Sequence, residues 1–208
     1  MDVLVMESDP GAAQSAVEDL EAAGHRVHRC HEPGGPAFPC AGLVADACPL
    51  EHEAIDVVLT VRRHVLPRPS TTEDGVACAL RRRIPVVVTG RTLLNPFENF
   101  GAIPAEGDAV KACEAVAAGP QAGHTEVAGR VLADLFELHG VPTRSGDVVV
   151  HRTDGRLKAT LRVSPSVPDS ICKVAAVRIT GALRTYDPYV VGIDVGCEVS
   201  DSGGRRGP

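Results

Sequence analysis

The sequence predicts a first domain of the α/β class with an open parallel sheet, followed by a smaller α+β domain. Two observations support this division. Short apolar runs alternate with helical patterns up to residue 118, and later the order changes to helix, two strands, helix and strand. Residues 119–123 are small, contain glycine and proline, and are typical of a linker. The predicted domains are therefore 1–118 and 124–200, and the Gly- and Arg-rich residues 201–208 are expected to form a flexible tail.

The first half contains apolar runs short enough to be buried strands of a parallel sheet. These predicted strands are Val3–Met6, Arg26–Arg29, Ile55–Val61 and Ile84–Val88. A helix is expected after the first strand, because Asp9-Pro10 combines an N-cap residue with a proline suited to the first helical position. That helix is expected to end at Gly24, and two more are predicted over Asp74–Arg83 and Asp108–Ala118.

The second half is predicted to contain two helices and three strands in the order α-β-β-α-β. Thr125 is a suitable N-cap for a helix that ends near His139. Thr153-Asp154-Gly155 is a hairpin signal that joins the first two strands. These two strands, the next helix and the last strand are expected over Asp147–His151, Leu157–Val163, Pro168–Thr185 and Val190–Val199.

Composition and charge exclude several classes of function. The chain has 208 residues and a formal net charge of −6, which argues against a general nucleic-acid binder with a phosphate-neutralising surface. No apolar run approaches the roughly 20 residues of a membrane-spanning helix. The acid at Glu7 comes too early for a signal peptide. We therefore expect a cytoplasmic protein without membrane insertion, whose seven cysteines are thiols or metal ligands.

The segments that predict the first sheet also resemble a known family. They are Val3–Pro10, Leu20–Val27, Ile55–Leu59 and Ile84–Thr89. Together they are similar to the receiver domain of two-component response regulators. The resemblance implies a flavodoxin-like fold and, in its complete form, a phosphate-accepting aspartate beside a bound Mg²⁺.

The resemblance also implies where the phosphorylation machinery would lie in this chain. Glu7 stands for the first of two acids that hold Mg²⁺, but Ser8 takes the place of the second acid and Asp9 follows one position later. Thr60 or Val61 falls at the acceptor position, and neither side chain can form an acyl phosphate.

Of the last two elements of the family pattern, one is present in this chain and one is missing. Thr89 matches the hydroxyl residue after the fourth strand, whereas Ile103 stands where a lysine is expected before Pro104. Three of the five elements are therefore missing, and without the counter-charges we expect no phosphotransfer from this pseudo-receiver. Glu7, Asp9 and Thr89 remain as candidate binding residues, with Mg²⁺ as a candidate ligand. The alternative is that Asp9 only caps a helix and that Glu7 faces solvent.

Segment 30–53 is predicted to be a functional loop, because long loops without periodicity in compact domains tend to be functional or disordered. We name it the Cys/His loop. Its candidate metal ligands are Cys30, His31, Cys40, Cys48 and His52. Zinc takes four N or S ligands and supplies folding energy where secondary structure is missing, so three thiolates with one histidine would form a Cys₃His site. An iron–sulfur cluster on the same thiolates is a second metal option.

Other interpretations of these cysteines stay open, since no spacing is the tight Cys-x₂-Cys of strong zinc motifs. The thiols can be small buried hydrophobes, or Cys40 and Cys48 can form a disulfide. They can also belong to a redox sensor or enzyme in which Arg29 or a histidine activates a thiolate. The other four cysteines are expected in the core: Cys78, Cys113, Cys172 and Cys197.

Two basic clusters, Arg62-Arg63-His64 and Arg81-Arg82-Arg83, are typical of a solvated face or a helix end. Binding of an acidic partner or a phosphate is the alternative for both clusters.

Residues 124–200 resemble the alkaline shock protein family and, more loosely, BON-like α/β modules. The resemblance rests on His139-Gly140-Val141 after the first helix, on the hairpin and on Tyr189–Glu198. It implies association with proteins or envelopes rather than catalysis; an unrelated small α+β domain is the alternative.

Both halves thus favour a non-enzymatic signalling or interaction protein with an unknown protein partner. A homodimer is expected from the receiver faces and the alternating last strand.

Overall fold

The computed structural model describes residues 1–200. The chain divides into two compact units between Ala118 and Gly119. Residues 201–208, which are predicted to form a flexible tail, lie outside the described residues.

The first unit contains five parallel strands and five helices. The strands are β1 (Asp2–Glu7), β2 (Arg26–His28), β3 (Val57–Arg62), β4 (Val86–Gly90) and β5 (Ile103–Pro104). The helices are α1 (Gln14–Ala22), α2 (Ala41–Ala45), α3 (Pro49–His52), α4 (Gly75–Arg81) and α5 (Ala109–Ala118). The sheet order is β2-β1-β3-β4-β5, which confirms the flavodoxin-like α/β fold.

Strand β1 shows why the sheet is apolar on both faces. All six of its residues are buried. Val3 and Val5 pack in the cluster that includes Leu20 of α1, whereas Leu4 and Met6 pack in the cluster on the opposite face. Helices therefore cover both faces of this strand, and covered parallel strands read as continuous apolar runs.

The predicted start of α1 at Asp9 is wrong. The helix begins at Gln14, because Gly11 adopts a φ of 77°, which a right-handed helix does not contain. The backbone N–H of Ala13 donates a hydrogen bond of 3.0 Å to Oε2 of Glu7. Glu7 is 2% exposed, so its side chain does not face solvent. Glu7 rather than Asp9 accepts the hydrogen bond from the backbone at the start of the helix.

The Cys/His loop contains secondary structure that its sequence pattern did not reveal. Helix α2 ends at Asp46, which adopts the left-handed conformation. Helix α3 begins with Pro49 at its first position, where a missing N–H costs nothing. Two short helices thus occupy the second half of the Cys/His loop, and residues 30–40 are irregular as expected.

The second unit is a three-stranded sheet with two long helices. The helices are α6 (Ala122–Leu138) and α7 (Asp169–Tyr186), and the strands are β6 (Gly146–Thr153), β7 (Arg156–Val163) and β8 (Gly192–Val199). β6 and β7 form the antiparallel hairpin, and β8 pairs with β7 in parallel. This confirms the predicted order α-β-β-α-β. Leu135 of α6, Leu161 of β7 and Ile179 of α7 are fully buried in one core cluster.

Three predictions for the second unit differ from the structure: the N-cap of the first helix, the end of the linker and the burial of Cys197. Helix α6 begins at Ala122, so Thr125 is not its N-cap; the Thr125 hydroxyl accepts a hydrogen bond of 3.0 Å from the Val150 backbone N–H. The predicted linker 119–123 therefore loses its last two residues to the helix. Cys197 is exposed on β8 rather than in the core.

A buried polar cluster holds the ends of three elements of the second unit together. Asp187 is fully buried just after α7, and its Oδ2 accepts hydrogen bonds from Nε2 of His124 at 3.1 Å and from Arg152. Its Oδ1 accepts a hydrogen bond of 3.3 Å from the Tyr189 backbone N–H. Burial raises the pKa of Asp187, but the hydrogen bond from His124 and the charge of Arg152 outweigh burial and hold the pKa below its ordinary value of 3.8.

Within residues 1–200, none of the helices combines the length and the apolar character needed to span a bilayer.

We predict that Asp187→Asn lowers the free energy of unfolding of the second unit. The substitution leaves Arg152 buried without its counter-charge, and breaking such a pair costs about 3–5 kcal/mol. Urea denaturation at neutral pH measures the change. Asp194→Asn is the matched control, because the exposed pair of Asp194 with Arg156 is worth at most about 1 kcal/mol. Equal unfolding free energies for wild type and Asp187→Asn would contradict the prediction.

The same carboxylate predicts an acid dependence. Because the pKa of Asp187 is lower in the folded state, its contribution is fully present above the unfolded value near 3.8. The contribution is lost as the pH falls through the folded pKa. Unfolding free energy measured against pH should therefore fall less steeply below that value for Asp187→Asn than for wild type.

Candidate functional site

The three candidate binding residues of the first unit do not surround one space. Oε2 of Glu7 accepts a hydrogen bond from the Ala13 backbone N–H just before α1. The backbone carbonyl of Glu7 accepts a hydrogen bond of 2.5 Å from the Thr72 hydroxyl. Oδ2 of Asp9 accepts a hydrogen bond of 2.7 Å from the Ser8 hydroxyl. Thr89 is buried and lines a cavity to which neither acid contributes. Binding of Mg²⁺ by these residues stays a prediction.

The cavity beside Thr89 has a volume of about 560 Å³ and lies at the carboxyl ends of β3 and β4. Val61, Gly90 and the start of α5 form part of its wall, and Asp19 and Asp108 supply its charged groups. No lysine, arginine or histidine lines it, all of its lining residues being in the described part of the chain. A phosphate would meet two carboxylates here, of which Asp108 is paired with Lys111 at 3.2 Å.

Next to the cavity, a fully buried ion pair fills the carboxyl end of β3. Nε of Arg62 lies 3.1 Å from Oε1 of Glu73, and neither side chain is exposed. Nε of Arg62 makes no hydrogen bond, so its contact with Glu73 is an ion pair only. Oε1 of Glu73 accepts a hydrogen bond of 2.9 Å from the Thr60 hydroxyl, and Oε2 accepts one of 2.9 Å from the Ser70 N–H. The carboxylate is thus held from two elements at once.

The guanidinium of Arg62 organises two loops. Its Nη1 donates hydrogen bonds to the carbonyls of Leu66 at 2.9 Å and Leu94 at 2.8 Å. Its Nη2 donates one of 3.0 Å to the carbonyl of Arg68. The segments after β3 and after β4 therefore share one buried cation. Gly90 is required beside it, since a Cβ there would lie 2.3 Å from the Arg62 carbonyl oxygen.

The interpretation of Arg62-Arg63-His64 as a solvated cluster is wrong for Arg62, which is 1% exposed. One signal in the sequence could have revealed its partner. Ser70-Thr71-Thr72-Glu73 has the spacing of a capping box, and the structure forms that box at the 3₁₀ turn Thr71–Glu73. A capping glutamate placed close to an apolar strand that ends in arginine favours a buried pair.

The cysteines of the Cys/His loop pack against the core of the first unit. Cys30, Cys48 and Cys78 are partly buried beside the cluster that contains Met6. All seven cysteines are free thiols, so the structure contains no bond between Cys40 and Cys48. Burial, together with the neighbouring Cys48, Cys40 and Cys78, raises the pKa of Cys30 to about 12. Such a thiol stays protonated at neutral pH, whereas a reactive cysteine needs a lowered pKa.

The two predicted histidine ligands contact backbone carbonyls. The ring nitrogens of His31 lie 3.4 Å from the carbonyl oxygens of Glu32 and Thr72. Nε2 of His52 lies 2.6 Å from the carbonyl oxygen of Asp46. The zinc site on the cysteines with His31 or His52 stays a prediction.

Sets of three metal-ligating side chains do occur elsewhere in this region. Within residues 1–200, two groups have one ligand atom from each member within 4.8 Å of the others, and neither contains a cysteine: Asp2, His28 and Glu53, and Asp46, Glu51 and His52. We call them the Asp2 group and the Asp46 group. All members of the Asp46 group are exposed, whereas Asp2 is buried and His28 is partly buried.

The carboxylate of Asp2 is held in place by its neighbours. Its Oδ2 accepts a hydrogen bond of 2.6 Å from Arg26, and its Oδ1 lies 2.7 Å from Nε2 of His28. Burial raises the pKa of Asp2, but the hydrogen bonds from Arg26 and His28 outweigh burial and leave the pKa below 3.8. The carboxyl of Asp2 is therefore ionised at neutral pH.

Comparisons with known proteins add no assignment. No known protein-family model matches this chain, and no curated protein matches its sequence.

We predict that Glu73→Gln destabilises the first unit. The substitution keeps the shape of the side chain but leaves Arg62 buried without a counter-charge, at a cost of about 3–5 kcal/mol. Chemical denaturation measures the loss, and hydrogen exchange should quicken over residues 63–70 and 91–95. Glu51→Gln is the matched control, because its pair with Arg82 is partly exposed and worth at most about 1 kcal/mol. A Glu73→Gln protein as stable as the control would show that the pair does not organise the loops.

Proposed function

We propose that the chain is a non-enzymatic signalling or interaction protein built on a receiver-like unit that cannot be phosphorylated. The observation that carries the proposal is the buried pair of Arg62 and Glu73. In a phosphorylatable receiver, a phosphate-accepting aspartate follows the third strand. Here Thr60 donates its hydroxyl hydrogen bond to Glu73, and Arg62 is enclosed by loop carbonyls. These groups are occupied in holding the fold.

The surrounding groups support the same conclusion. Glu7 is engaged by a backbone N–H, and Asp9 accepts from Ser8. The cavity beside Thr89 offers carboxylates to a ligand that is itself an anion. Acyl-phosphate chemistry requires the gathering negative charge to be offset by a metal and a cation.

A thiol-based redox function is the weaker alternative. The raised pKa of Cys30 opposes the formation of a thiolate at neutral pH. Seven free thiols suit a reducing compartment, so the proposal includes a cytoplasmic location.

The segment between β4 and β5 is the interaction surface that we propose for the first unit. It exposes large apolar side chains, with Leu93 at 84% and Phe100 at 67%. Its charged residues are Arg91 and Glu98, both exposed. In a two-fold contact, residue i of one copy meets residue j of the other and j meets i, and we propose that Arg91 and Glu98 pair in this way. A second copy of the chain is therefore the partner that this surface fits, and we propose a homodimer.

We predict that the protein gains no phosphoryl group from a small-molecule donor. The full chain is incubated with acetyl phosphate and Mg²⁺ and analysed by intact-mass spectrometry. A receiver with a complete set of acidic residues and lysine serves as the positive control in the same mixture. The expected result is an unchanged mass, because neither Thr60 nor Val61 can form an acyl phosphate. A stoichiometric adduct on Glu7 or Asp9 would overturn the proposal.

We predict concentration-dependent dimerisation through the β4–β5 segment. Sedimentation equilibrium from micromolar to near-millimolar protein should show a mass that rises toward twice 21.7 kDa. Leu93→Glu with Phe100→Glu should weaken the dimer at least about tenfold, since it places charge in an apolar contact. Val177→Glu is the control, because Val177 is 74% exposed on α7 in the second unit.

A charge exchange makes the dimer test specific. Arg91→Glu alone should weaken association, and the double variant Arg91→Glu with Glu98→Arg should restore it, because the pairing is regained across the two-fold axis. A wild-type protein that sediments as a monomer at every concentration would refute the homodimer. Equal weakening by Val177→Glu would place the contact elsewhere.

A further inference from the structure

The Asp2 group unites three residues that are far apart in the sequence. Asp2 begins β1, His28 ends β2, and Glu53 follows α3 at the end of the Cys/His loop. Parallel pairing of β1 with β2 places Asp2 opposite Arg26, and His28 is two residues further on. Residues two apart on a strand share a face, so both Arg26 and His28 reach the carboxylate. The three side chains present two carboxylates and one imidazole to a common point.

These ligands match the preferences of a divalent transition ion. Imidazole nitrogen and carboxylate oxygen bind zinc and its neighbours in the first transition row. A tetrahedral ion with bonds of 2.0–2.1 Å separates two ligand atoms by roughly 3.3 Å. Oδ1 of Asp2 and Nε2 of His28 are 2.7 Å apart, so they need to separate by only about 0.6 Å to admit an ion.

The supports of the first ligand are also those of a metal site. Arg26 holds Oδ2 of Asp2 and directs Oδ1 toward His28. Oδ2 of Asp56 accepts a hydrogen bond of 2.9 Å from the Asp2 backbone N–H, which adds a third carboxylate to the neighbourhood. Partners of this kind orient metal ligands in proteins.

The group also has room for further ligands. A cavity of about 410 Å³ is lined by His28 and Glu53 of this group and by Asp46 and His52 of the Asp46 group, with Cys48 also in its wall; Asp2 does not line it. Two of the three proposed ligands thus border open space, and zinc sites with three protein ligands keep a water or exchangeable ligand in the fourth position.

We propose that Asp2, His28 and Glu53 bind one divalent transition-metal ion, such as Zn²⁺, which ties the end of the Cys/His loop to the sheet. The site uses no thiolate and differs from the cysteine set predicted from the sequence. It does not depend on the proposed homodimer. The Asp46 group is less suitable, because all three of its members are exposed and Nε2 of its histidine already contacts a backbone carbonyl.

The test uses the full chain without a histidine tag, freed of metal with a chelator and kept reduced. Zn²⁺ is titrated calorimetrically, and Co²⁺ is added separately as a spectroscopic probe. Glu53→Gln is the principal variant, because Glu53 is exposed and its replacement leaves the core unchanged. His28→Gln is the second variant. Glu51→Gln and Cys48→Ser are matched controls, one from the Asp46 group and one from the wall of the same cavity.

The expected result is one Zn²⁺ per chain, with affinity lowered by at least about ten- to a hundredfold in Glu53→Gln and His28→Gln. Both controls should bind as wild type does. The Co²⁺ complex should show weak d–d bands without the intense thiolate-to-metal charge-transfer absorption of a cysteine site. Zn²⁺ should raise the melting temperature of wild type and leave that of Glu53→Gln unchanged.

Four results would overturn the proposal. If wild-type protein shows no saturable binding of Zn²⁺, the site does not exist. If Glu53→Gln binds Zn²⁺ with unchanged affinity, Glu53 is not a ligand. Loss of binding in Glu51→Gln assigns the ion to the Asp46 group. Charge-transfer absorption that disappears in Cys48→Ser assigns it to the cysteines. Sedimentation of the metal-free protein reports on the homodimer separately, so failure of either proposal is visible without the other.

Discussion

The carboxyl edge of the first unit depends on the burial of one guanidinium. An arginine without exposure must have its charge balanced and its N–H groups directed at acceptors, since either omission costs several kcal/mol. Glu73 balances the charge of Arg62, and the carbonyls of two loops accept hydrogen bonds from its Nη1 and Nη2, whereas Nε makes only the ion-pair contact. The path of the chain after β3 and β4 follows from those contacts. A buried pair of this kind adds little net stability, but it allows few arrangements of the loops around it.

The two units use the same physical device in different places. In the second unit the buried acid is Asp187, which joins His124 at the start of α6 and Arg152 at the end of β6. In both units a buried carboxylate meets arginine at the end of a strand. Each pair therefore fixes the ends of elements whose middles are held by apolar packing and backbone hydrogen bonds. Removal of one partner is far more costly than the net worth of the pair, because an isolated charge then remains in the core.

Elements that depend on local pattern could be predicted from the sequence, and elements that depend on distant partners could not. The apolar runs of β1, β3 and β4 and the periodicity of α7 identified both folds, because burial on both faces or on one stripe leaves a direct mark. Asp9 and Thr125 satisfy local capping rules, yet each side chain contacts another group and the helices begin elsewhere. The burial of Arg62 was missed because Arg62 stands in a basic run, and the capping box that positions its partner Glu73 lies eight residues further on in the sequence. The Asp2 group was missed because strand register, which brings His28 beside Asp2, has no signature in a single sequence.

Open parallel sheets bind ligands at the carboxyl ends of their strands, where loops diverge. In the first unit, polar groups at that end bond to one another, and Asp108 of the cavity is paired with Lys111 at 3.2 Å. The metal site that we propose lies at the other end of β1. There Asp2 and Asp56 begin or precede strands, and the Cys/His loop brings Glu53 to the same place. The proposed metal at Asp2, His28 and Glu53 thus lies at the end of the strands opposite to the one where parallel sheets ordinarily bind ligands.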